Sequence, residues 1–89
     1  MEKKIVESIV TCIISNLAMA HGGRSQYDWQ TLGRALKGHL SQGNLQGADL
    51  EVVLEAAMEI ELEYWGWTDF PAIQVAMIKA QIRDAILKK

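Results

Sequence analysis

Four stretches of this chain repeat their apolar residues every three to four positions, and that period confines the fold to packed helices. They cover residues 2–19, 27–41, 48–65 and 70–88. No segment alternates with a period of two over enough length to make a strand. Residues that stop helices lie between the stretches: His21-Gly22-Gly23, Gln42-Gly43-Asn44 and Gly66. The sequence therefore predicts an all-α chain, one helical domain over residues 1–89. Its four helices form a compact arrangement with short loops and mainly antiparallel neighbours.

The wheel positions say which sides these helices bury. In the first, Ile5, Val6, Ile9, Val10, Cys12, Ile13 and Leu17 share a broad apolar arc, opposite a narrow strip of Lys4, Ser8, Thr11 and Ser15. In the second, Trp29, Leu32, Leu36 and Leu40 stack, and Gly33 beside them permits a close helix contact. The third buries Leu50, Val53, Leu54, Ala57, Met58 and Trp65. Gly66 after it suits a left-handed C′ residue, with Trp67 folding back on Leu62. The fourth has Asp69 as N-cap, Pro71 in its first turn and two apolar stripes: Val75, Ile78, Ile82 and Ile86, and Ile73, Ala76, Ala80 and Leu87. Two helices with apolar residues on two sides imply more buried surface than one small chain readily supplies, which a symmetric homodimer would answer.

Charge narrows the function. The formal net charge of the 89 residues is −2, too little basic excess for a general nucleic-acid binder. Its distribution is uneven. Residues 43–69 hold seven acids and no Lys or Arg, while the remainder holds nine basic residues and four acids, a balance of −7 against +5. Within the acidic segment Glu51, Glu55, Glu59 and Glu63 recur every four residues, where like charges repel along a helix face. Three readings compete: a solvated face, internal pairing with Arg34 and Lys37 or with Lys79 and Arg83, and a docking surface for a basic protein partner. Glu61 falls between Leu50 and Leu54 on the apolar side, so it needs a partner, for which Lys79 and Arg83 are the candidates, or a route to water. A helix-turn-helix drawn over residues 31–57 would point Glu51 and Glu55 at phosphates, which is electrostatically wrong.

Groups that carry chemistry are few. His21 and His39 have no metal-ligand partner at helical spacing, Cys12 on the apolar arc reads as core, and no glycine-rich phosphate loop is present. No catalytic residue, cofactor or metal is expected. Lys3 and Lys4 before an apolar run ending in Ala18-Met19-Ala20 outline a signal peptide, but Glu7, Ser8, Ser15 and Asn16 interrupt the run, which reads as too short and polar to span a bilayer. One unpaired cysteine fits a reducing compartment such as the cytoplasm.

The aromatic group Tyr64-Trp65-Gly66-Trp67 with Phe70 is dense enough to cap a core or to form a contact patch, and Trp67, in the turn, is the member expected to be exposed. The leading expectation is a small non-enzymatic regulatory or adaptor protein, dimeric, acting by protein–protein contact. Its partner-binding residues would be Glu51, Glu55, Glu59, Glu63, Tyr64 and Trp67. The alternatives are an acidic inhibitor or immunity-type factor occupying a basic site on a partner and, with less support, a DNA-binding regulator.

Overall fold

A computed structural model describes residues 1–88. Its four helices are α1 (Lys3–His21), α2 (Trp29–Gln42), α3 (Leu50–Trp65) and α4 (Ala72–Leu87), with a short 3-10 turn at Arg24–Gln26 and no strand among the described residues.

The helix ends follow from local chemistry. Asp28 caps α2 by accepting from the Thr31 backbone N–H at 2.8 Å and the Thr31 hydroxyl at 2.7 Å. Asp49 caps α3 by accepting from the N–H groups of Glu51 at 2.8 Å and Val52 at 3.3 Å. Replacing Asp49 by Ala strands both donors, and thermal or denaturant unfolding should show a loss of about 1 kcal/mol. The end of α3 is the Schellman ending that its sequence predicts. Gly66 sits at φ 68°, its N–H bonds the Glu63 carbonyl at 3.2 Å, and the Trp67 N–H bonds the Leu62 carbonyl at 3.0 Å.

Asp69 does not cap α4. The helix begins at Ala72 behind Pro71, whose carbonyl accepts from Gln74 and Val75. A proline drives the residue before it out of helical conformation, so Phe70 cannot belong to the first turn.

The packing is a ring in which α1 touches α2 and α3, and α4 touches the same two. The α2–α4 and α1–α3 contacts are the most extensive, and α2 and α3 do not pack on one another. Val6, Val10, Ile13 and Ile14 of α1 meet Leu32 and Leu36 of α2, Val53, Leu54, Ala56, Ala57 and Met58 of α3, and Ile78, Ile82 and Ile86 of α4 in one core. Leu45, in the loop between α2 and α3, is fully buried beneath them. The Cα radius of gyration is 12.2 Å, as compact as a chain of this length becomes, at about 12 Å.

Two expectations for α1 change. Cys12 and Ile5 are exposed, not core, because α1 meets neighbours over only half of its apolar arc. By length and composition α1 also meets the mark for a helix able to cross a membrane, contrary to the reading of its sequence as too short and polar. Its inward side supplies four core residues here.

Candidate functional site

The sequence-predicted acidic stripe divides in the structure. Glu51 is taken up internally: Arg83 of α4 donates to both its carboxylate oxygens at 2.8 and 3.0 Å, and the Lys79 ammonium lies at 4.0 Å. Arg34 and Lys37, the other candidates for that pairing, lie on α2 and line the groove between α2 and α4. Glu59 makes a loose, solvent-exposed pair with Lys3 at 3.9 Å, of the kind that contributes little to stability. Glu55 and Glu63 are exposed and have no ion-pair partner among the described residues. Glu63 and Tyr64 border a shallow groove between α1 and α3 that Thr11, Ser15 and Met19 line on its other side. Of the four glutamates, Glu51 is held by α4, and Glu55, Glu59 and Glu63 lie on the exposed side of α3.

Among the described residues Glu61 is the one charged side chain in the core, with 1% of its surface exposed. Its partner is neither Lys79 nor Arg83. Arg24, in the turn after α1, reaches it at 3.4 Å, and the Trp65 indole N–H donates to its other oxygen at 2.8 Å. The Arg24 guanidinium in turn lies 3.8 Å above the centre of the Tyr64 ring, a cation–π contact strengthened by the partial burial of the arginine. Sequence reasoning missed Arg24. The available signal was that a carboxylate on an apolar helix face needs a cation, and Arg24 is the only one in the α1–α2 connection.

Tyr27 closes this cluster. Its hydroxyl is buried without a hydrogen-bond partner. Burial first, and the negative charge of Glu61 second, push its ionisation above the ordinary 10.0, against the opposing pull of Arg24. The neutral phenol is thus favoured more in the folded than in the unfolded chain. Its contribution to stability is complete below pH 10 and falls as the pH rises through the folded-state value. An ultraviolet titration of the tyrosines should show Tyr27 ionising late, and stability declining over the same range.

The aromatic group forms an ordered stack. The Trp65 and Trp67 rings lie 5.8 Å apart at 16°, Trp67 and Phe70 4.4 Å apart at 11°, and Tyr64 meets Trp65 edge-on at 5.0 Å. Trp67 is the half-buried middle of that stack and packs on the core, so it is not the exposed member. The Schellman turn explains this, because it folds Trp67 back over Leu62. Tyr64 at 58% and Trp65 at 37% exposure are the most exposed members of the group.

Val75, Ile78, Ile82 and Ile86 face inward. The opposite side of α4, set by 3.6-residue spacing, holds Ile73, Ala76, Met77, Ala80 and Leu87 with the exposed Asp84 among them, and Ile73 is 71%, Met77 56% and Leu87 61% exposed. An apolar row of this length on a helix surface is unusual for a chain with no contact partner.

His39 borders a shallow depression with Cys12 and Asn44, away from the Arg24–Glu61 cluster, and His21 leans on the Tyr27 ring at 5.6 Å. Among the described residues no three His, Cys, Asp or Glu side chains are grouped to hold a metal ion. No protein-family model, curated protein or solved structure matches the chain.

Proposed function

We propose that this chain is a small regulatory or adaptor protein, not an enzyme, that works by protein–protein contact and pairs with a second copy of itself through the outward side of α4. The observation that carries the reading is the row of exposed Ile73, Ala76, Met77 and Leu87 with half-buried Ala80, interrupted by Asp84 before Leu87. Large residues near both ends and alanines near the middle let two such helices approach closely when they cross about a two-fold axis. An antiparallel pair also brings unlike ends together, Asp69 ahead of one α4 and Lys88 at the end of the other, and opposes the helix dipoles. The exposed Tyr64 and Trp65 extend the apolar surface on one side, where aromatic residues are effective anchors.

The remaining acidic face of α3, with Glu55, Glu59 and Glu63, stays free in such a dimer and suits a basic protein partner. A cytoplasmic setting accords with an exposed, unpaired Cys12.

Met77→Lys tests the pairing. Its side chain is already more than half exposed, so the monomer should keep its helix content by circular dichroism. The dimer should fall to half its mass by light scattering. An unchanged mass would remove α4 from the interface.

A further inference from the structure

We infer that the groove between α2 and α4 is a binding site for a small ligand bearing a phosphate monoester. This site does not depend on the proposed dimer, although Asp84 and Lys88 of α4 border both the groove and the dimer face. Its walls are two facing rows. Gln30, Arg34 and Lys37 stand at successive turns of α2, and Gln81, Asp84 and Lys88 at successive turns of α4, around a cavity of about 390 Å³.

The rows face each other because the helices touch at Gly33, where a Cβ would lie 2.5 Å from the Ala85 Cβ and 2.7 Å from the Ile82 carbonyl oxygen. Helices in such close contact carry their rim side chains into a shared cleft. Three cationic residues therefore line it against one carboxylate. None of the three has an acidic partner within ion-pair distance among the described residues, unlike Arg24, Lys79 and Arg83.

Their existing bonds leave capacity for a ligand. Arg34 spends one N–H on the Thr31 hydroxyl at 3.1 Å, and Lys37 donates once to the Lys88 carbonyl. That second bond satisfies an end carbonyl of α4 that would otherwise repel an anion. A guanidinium and two ammonium groups lining one groove supply donors and charge suited to the oxygens of a phosphate dianion. Gln30 and Gln81 add amide donors, and Asp84 can accept from a hydroxyl on the rest of the ligand. The volume suits a small molecule.

The test is a titration of the ¹⁵N-labelled protein with inorganic phosphate and with glycerol 3-phosphate, at an ionic strength held constant with chloride. Both should give saturable shifts of the amides of residues 30–37 and 81–88, and the hydroxyl-bearing ester should bind more tightly than phosphate alone. Arg34→Gln should weaken binding at least about tenfold, the loss of a charge-assisted hydrogen bond. Lys4→Gln, on α1, should leave it unchanged. If the cations serve only to offset the α4 dipole, the shifts will not saturate and Arg34→Gln will match the parent chain. Either result overturns the proposal. Tighter binding of phosphate than of the ester would reject the monoester as its ligand.

Discussion

Glu61→Ala is expected to remove most of the stability of the chain and leave it marginally folded at room temperature. The substitution strands the Arg24 guanidinium, whose side chain is only 12% exposed, and removes the acceptor of the Trp65 indole. Breaking one side of a buried ion pair costs about 3–5 kcal/mol. Small domains have a total stability of about 5–15 kcal/mol, and an 89-residue chain belongs at the lower end. Denaturant unfolding followed by Trp fluorescence measures this directly. The pair Glu61→Leu with Arg24→Met removes both charges together and should recover most of the loss, because no unpaired charge then stays buried. If Glu61→Ala were as stable as the parent chain, the cluster would have no structural weight.

Gly33 and Gly38 should respond to alanine in opposite directions although both lie in α2. At Gly33 the added Cβ meets the Ala85 Cβ and the Ile82 backbone within 2.7 Å, and a backbone carbonyl cannot turn aside. Overpacking of this kind costs about 1–3 kcal/mol or more, which outweighs the roughly 1 kcal/mol that alanine gains in helix propensity. At Gly38 nothing lies within 4 Å, so Gly38→Ala should stabilise the chain by up to about 1 kcal/mol. Paired melting curves check both. The same displacement of α2 from α4 should widen the cleft lined by Arg34, Lys37 and Lys88.

The architecture was largely legible in the sequence because helices announce themselves by period. All four elements lie where apolar spacing puts them, and the Schellman ending at Gly66 follows from one glycine and its neighbours. The remainder depends on how many neighbours each face acquires, which period does not state. The apolar arc of α1 seemed wide enough to hide Cys12 and Ile5, but its neighbours cover only the side of Val6, Val10, Ile13 and Ile14. Leu45 gave no periodic signal because it lies in a loop, yet it is completely buried.

The candidate site was legible in part for similar reasons. Burial of Glu61 followed from its wheel angle, whereas its partner comes from a three-residue turn whose path only the fold reveals. The stripe of Glu51, Glu55, Glu59 and Glu63 was visible as a four-residue repeat. That Arg83 would reach Glu51 depended on the placement of α4 beside α3. Trp67 and Trp65 exchanged roles because the turn that frees one residue in sequence folds it inward in space.

The central claim is that the outward row of α4 pairs two copies of the chain, and light scattering on size-exclusion chromatography at low and high salt tests it most directly. Apolar burial is insensitive to screening, so the account predicts twice the mass of one chain at both salt concentrations. A mass of one chain at high micromolar concentration in both would contradict it.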